Sequence, residues 1–117
     1  MTQPQQEDMP LKDQSCVDIE KGHKALVIPT IESHLSQMPG WDVPLDYQTL
    51  VKTFSFKNYH QTVAFVNAIT WVAHKEDHHP ELCFGYNQCK VILTTHAIKG
   101  LSQNDFIMAA KIDALLD

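Results

Sequence analysis

Apolar residues along this chain recur with two periods, and the breaks between them mark the expected elements. From Asn58 to Asp77, Phe65, Ala68, Ile69, Val72 and Ala73 follow i, i+3, i+4, i+7, i+8 spacing, the stripe of an amphipathic helix. Asn58 is its natural N-cap, and Pro80 ends it by pushing His79 out of helical dihedrals. A shorter helix is expected over Pro29–Gln37, with proline in its first turn and Ile31 and Leu35 turned inward, and Met38-Pro39-Gly40 stops it. A third opens at Ser102-Gln103-Asn104-Asp105, a capping-box-like start, and aligns Asp105, Met108, Ala109, Ile112 and Leu116 on one face.

Elsewhere the period is two. Trp41–Asp46 and Leu50–Phe56 read as strands joined by a short loop, with Pro44 placing the first at a sheet edge. Glu81–Tyr86 and Cys89–His96 read as a hairpin through Asn87-Gln88, with Val91, Leu93 and Thr95 on one side and Ile92, Thr94 and His96 on the other. Residues 1–18 are rich in Gln, Asp and Pro and have no apolar period, which predicts a flexible N-terminal tail ahead of a single domain over 19–117. The expected order is α-β-β-α-β-β-α, an α+β fold with helices packed on one face of an antiparallel sheet.

Composition narrows the partners. A formal charge of -5 lacks the basic face that phosphate backbones require, so nucleic acid is not an expected partner. No apolar run approaches a membrane span, and the N-terminus has no signal-peptide pattern. Cys16, Cys83 and Cys89 are odd in number and form no CxxC pair, which points to reduced thiols and a cytoplasmic location.

The candidate chemistry lies in the histidines. Of seven in the chain, His74, His78, His79 and His96 fall within 23 residues, and the last three sit where a helix end and a strand end can converge. Imidazole exchanges protons near neutral pH, so such a cluster beside a carboxylate suits either acid–base chemistry or metal binding. His74 and His78 share a helix face, but Lys75 stands where a metalloprotease helix carries its glutamate, which weakens a zinc reading. Taken alone, His74 reads as a half-exposed helix-end residue. Asp105 is either an acid turned toward the histidines or simply a helix cap. His23, His34 and His60 stand apart and read as surface residues.

The spacing His74, His78-His79-Pro80, Tyr86, His96, Asp105 resembles the signature of the pterin-4a-carbinolamine dehydratases, and Pro39-Gly40-Trp41 with the Phe65–Ala73 helix extends the likeness over roughly Leu26 to Leu116. Relatives often carry Glu where this chain has His74, and the resemblance does not extend to the stretch before Ile19. The resemblance implies a four-stranded antiparallel sheet with three helices on one face, no cofactor and no metal, and assembly as a homodimer or homotetramer. It implies dehydration of a 4a-hydroxytetrahydropterin to the quinonoid dihydropterin, which recycles the cofactor of an aromatic amino-acid hydroxylase. On that basis His78, His79 and His96 are the catalytic residues, with His78 and His96 as the acid–base pair. His79, Pro80, Thr95, Asp105 and His74 are expected to bind or orient the pterin. Losing water from a carbinolamine needs one proton delivered and one removed, and two imidazoles suffice for that. The competing expectations are a dimerisation module of the transcriptional-coactivator type, which would use helix surfaces, and a zinc-binding histidine cluster.

Overall fold

A computed structural model describes residues 6–117 of the 117-residue chain, and residues 1–5 of the expected tail lie outside the described part. Helix α1 spans Ile28–Leu35, strand β1 Leu50–Ser55, helix α2 Tyr59–Glu76, strand β2 Glu81–Phe84, strand β3 Gln88–Leu93 and helix α3 Gln103–Ala114. The three strands form an antiparallel sheet in the order β1-β3-β2, with Leu50 opposite Leu93, Phe54 opposite Cys89 and Leu82 opposite Val91.

The sheet therefore differs from the four-stranded expectation, and the order is α-β-α-β-β-α. The segment expected as a first strand, Trp41–Asp46, contributes a single bridge between Asp42 and Val51. The reason is local. Pro44 has no N–H to offer a ladder, and its carbonyl accepts from Tyr47 N at 2.9 Å, closing a turn within two residues of the bridge. The hairpin strands are also shorter than expected, because the chain turns at Gly85–Asn87 and β3 stops at Leu93. His96 consequently opens a 3-10 turn over His96–Ile98 instead of closing a strand.

Alternation on the sheet sorts its faces. Leu50, Phe54, Cys89, Val91 and Leu93 are buried on one side, where they join Ile31 of α1, Phe65, Ile69 and Ala73 of α2, and much of α3 in one core. Each large apolar side chain so buried contributes ~1.5–3 kcal/mol. Lys52 shares that parity but escapes at the edge, where its Nζ reaches Asp113 at 2.8 Å and lies 4.7 Å from the Phe54 ring centroid. Asn58 caps α2 as expected, its side chain accepting from Gln61 N at 2.9 Å, and Asp77 ends the helix in the left-handed region at φ 52°.

Helix α3 is buried more fully than one face requires. Phe106 and Ile107 are inaccessible along with Asp105, Met108, Ala109 and Ile112, whereas Leu116 is exposed beyond the helix end. Residues from the segment before Ile19 cover it. The turn Leu11–Asp13 packs against α3, Lys111 Nζ donates to Lys12 O at 2.9 Å, and Gln14 is buried.

Candidate functional site

Three elements meet at the C-terminal end of α2. The left-handed Asp77 turns the chain out of the helix, and Pro80 disfavours helical backbone at His79, so the helix does not resume and consecutive residues His78 and His79 both reach the same hollow. After β3, Thr95 N donates to Gly100 O at 3.0 Å, and the loop this closes presents His96 and Ala97 to the same hollow. The start of α3 provides the floor beside them. The resulting cavity is about 270 Å³ and is lined by His78, His79, Thr94, Thr95 and His96 among others.

Behind His78 lies a fully buried carboxylate. Asp105 Oδ1 is 2.7 Å from His78 Nε2, while Oδ2 accepts from Thr95 Oγ1 at 2.7 Å and from Ser102 N at 3.0 Å. A buried carboxylate is costly unless donors surround it, and here three do, at the N-terminus of a helix where negative charge is favoured. Thr95 Oγ1 also lies 2.7 Å from Ser102 Oγ, so the buried hydroxyls are tied into the same network. Asp105 is both things the sequence allowed: one oxygen serves the helix start, and the other serves the imidazole. Because a carboxylate oxygen accepts, Nε2 of His78 carries the proton and Nδ1 is the ring nitrogen left for other work. His79 and His96 are exposed to the cavity mouth, and His78 is mostly buried.

Of the residues singled out in the sequence, His78, His79, Thr95 and His96 share one cavity, and Asp105 stands directly behind it. Pro80 does not line it and faces a separate hollow of about 130 Å³ with Ile69, Ala73 and Leu82. His74 lies outside as well, exposed on α2 with its ring centroid 5.8 Å from that of Trp71. Tyr86 is 66% exposed on the β2–β3 hairpin, away from the histidines. His34, read as a surface residue, is half-buried: it stacks on Phe106 at 4.7 Å, and its Nε2 is 3.1 Å from Gln103 Oε1. Among the described residues, no group of three or more His, Cys, Asp or Glu side chains is placed to hold a metal ion.

Sequence reasoning passed over Val17, Asp18, Ile19, Asp77 and Asn104, which also line the cavity. Asp77 was signalled by its place beside the histidines. The others were not, since nothing in their spacing links a polar N-terminal stretch to the start of α3.

Comparison with known proteins gives consistent matches. The family model described as pterin 4 alpha carbinolamine dehydratase matches residues 24–115. A protein of Hydrogenovibrio crunogenus is 86% identical over 110 residues, covering 94% of this chain and 97% of its own, and one of Nitrosomonas eutropha is 54% identical over 107 residues, covering 91% and 93%. Both bear the name "Putative pterin-4-alpha-carbinolamine dehydratase". Among solved structures, a transcriptional coactivator/pterin dehydratase from Brucella melitensis superimposes with a TM-score of 0.76 at 29% identity, over 80% of this chain and all of that one. A pterin dehydratase-like protein identified as a RuBisCO assembly factor in the alpha-carboxysome matches with a TM-score of 0.58 at 28% identity, over 65% and 88%.

Proposed function

The chain belongs to the pterin 4 alpha carbinolamine dehydratase family, and from that premise we propose that it removes water from a 4a-hydroxytetrahydropterin to give the quinonoid dihydropterin. One observation carries this reading: His78, His79 and His96 open onto a single cavity, with the buried Asp105 held against His78.

The reaction breaks the C4a–O bond and the N5–H bond and forms a C4a=N5 double bond, with no change of oxidation state. His96 as imidazolium protonates the departing hydroxyl. His78 takes the N5 proton on Nδ1, and the N5–H electron pair becomes the new double bond. Asp105 keeps His78 in the required tautomer and stabilises the imidazolium that forms, the role a buried carboxylate plays behind a catalytic histidine. After release of water and product, proton exchange with solvent resets the two imidazoles. His79 lies at the cavity mouth, where it binds the pterin and assists. Thr95 holds Asp105 from beneath, and Pro80 acts through the backbone it imposes on His79. Each acid–base group is worth ~10²–10⁴-fold in rate. We assign the protein to the cytoplasm as a homodimer or homotetramer that returns pterin to an aromatic amino-acid hydroxylase, and no helix among the described residues is long and apolar enough to cross a membrane.

A second reading, a protein-interaction module, is favoured by one feature: Trp71 is 63% exposed on the outer face of α2, beside His74 and away from the cavity. The two separate cleanly by experiment. Freshly generated 4a-hydroxytetrahydropterin should lose water faster with the protein than in buffer alone. Matching progress curves with and without protein would leave the interaction module standing.

A further inference from the structure

The histidine cavity has a wall that the catalytic residues do not supply. Val17, Asp18 and Ile19 line it together with the imidazoles, and they come from a polar segment that makes no regular secondary structure there. Loops without ladder hydrogen bonds stay in place only if something else pairs their backbone. Here the pairing is specific. Asn104 clamps Val17 from both sides, its Oδ1 accepting from Val17 N at 3.0 Å and its Nδ2 donating to Val17 O at 2.6 Å. One residue earlier, Cys16 N donates to Glu76 Oε1 at 2.8 Å, and Cys16 Sγ lies 3.6 Å from Asn104 O.

These anchors belong to the same elements that carry the chemistry. Glu76 ends α2 two residues before His78, and Asn104 precedes Asp105 on α3. Asn104 is buried, with 4% of its surface exposed, yet both arms of its side chain are spent on main-chain atoms of a segment more than eighty residues away. A buried amide paired in this way fixes the position of a backbone and contributes little else. Val17 itself is 59% exposed, so its side chain is not what holds the segment down. The clamp thus sets the distance between an otherwise solvated wall and the three imidazoles.

We propose that residues Val17–Ile19, clamped by Asn104, form a substrate-positioning wall of the active site. The wall holds the pterin ring against the histidines, and among the described residues Asp18 and Asp77 bring the only carboxylates that line the cavity. A carboxylate is the natural acceptor for adjacent N–H groups such as those on the amino-pyrimidinone edge of a pterin. Asn104 is a positioning residue in this arrangement, since it acts through the segment and not on the reacting atoms. The inference rests on the dehydratase reading and goes beyond it by assigning substrate binding to a part of the chain ahead of the matched family region, which starts at residue 24.

The test compares the wild type with Asn104→Ala in the dehydration assay and in limited trypsin digestion. Lys12 and Lys21 flank the wall and report its mobility. For Asn104→Ala the expected result is a KM raised roughly five- to twentyfold with kcat within about twofold, faster cleavage at Lys12 and Lys21, and protection of those sites by an added 7,8-dihydropterin in the wild type but not in the variant. This split follows from a wall that binds ground and transition states alike. Should Asn104→Ala fail to fold, the double variant Val17→Ala with Asp18→Ala alters only exposed side chains and should raise KM in the same way. An active wild type whose KM is unmoved by the folded variant overturns the wall alone. A wild type that neither dehydrates nor binds the dihydropterin overturns the dehydratase reading, and the wall with it.

Discussion

At the scale of single residues, the arrangement turns on His78 and the carboxylate behind it. Asp105→Asn can still accept from Thr95 Oγ1 and Ser102 N, but it offers His78 Nε2 an N–H in place of an oxygen. The imidazole would then carry its proton on Nδ1, the nitrogen that receives one in the proposed mechanism. We expect kcat to fall by ~10²–10⁴-fold with little change in melting temperature, as when a triad aspartate becomes an amide. Asp105→Ala should in addition destabilise the fold, because it leaves buried donors without an acceptor. If Asp105→Asn lowers the melting temperature and leaves kcat intact, the carboxylate only caps α3. The thiols give a second residue-scale prediction. Burial, with Glu76 close by, pushes the Cys16 thiol from 9.0 to about 12, and burial also raises Cys89. Cys16 therefore remains protonated at pH 9, Cys89 is buried, and only Cys83 is exposed. Iodoacetamide at that pH should label Cys83 first, and mass spectrometry showing equal labelling of all three in the folded protein would contradict the burial. His78, His79, His96 and Asp105 were legible as residue types in a spacing. That Asp105 divides its two oxygens between a cap and an imidazole was not, since a sequence does not say which way a first-turn acid points.

At the scale of elements, the long helix was the most readable part of the chain. Its N-cap, its apolar stripe and its proline stop all lie in the sequence, and α2 runs from Tyr59 to Glu76 accordingly. Asn58→Ala should lower stability by ~1 kcal/mol by orphaning Gln61 N, with dehydration kinetics unchanged, because the cap lies at the far end of α2 from the histidines. A denaturant midpoint equal to the wild type's would show that the cap is dispensable. The expected first strand over 41–46 failed because apolar alternation between Trp41 and Leu45 does not supply ladder partners. Trp41 is instead buried with its Nε1 donating to Asp113 at 2.9 Å, while Leu45 is 97% exposed beyond Pro44. Alternation here picks out Trp41, which reaches the core, but it overstates Leu45, which Pro44 and the turn after it leave in solvent. The one-sided pattern expected for α3 was likewise incomplete. Phe106 and Ile107 looked off-stripe and are buried, because α3 is covered on more than one side: His34 of α1 packs on Phe106, and the turn Leu11–Asp13 packs against the same helix.

At the scale of the whole molecule, the site exists because sequence-distant ends are brought to one point. The C-terminal end of α2, the loop after β3, the start of α3 and the segment at Val17–Ile19 converge on one cavity. The first three contribute residues whose chemistry marks them in the sequence. The fourth is held by backbone hydrogen bonds to Glu76 and Asn104, and such contacts leave no apolar period to read. On the proposed reading, the same convergence lets one chain bring a proton donor, a proton acceptor and the carboxylate behind one of them to a single cavity. The most direct measurement is stopped-flow dehydration of freshly generated 4a-hydroxytetrahydropterin by the wild type, His78→Ala and His96→Ala, each with and without EDTA, and with His34→Ala as the control outside the cavity. The account predicts an accelerated reaction untouched by EDTA, kcat reduced ~10²–10⁴-fold in each of the two cavity variants, and His34→Ala at the wild-type rate. Activity lost to EDTA and restored by zinc, or equal losses in all three variants, would contradict it.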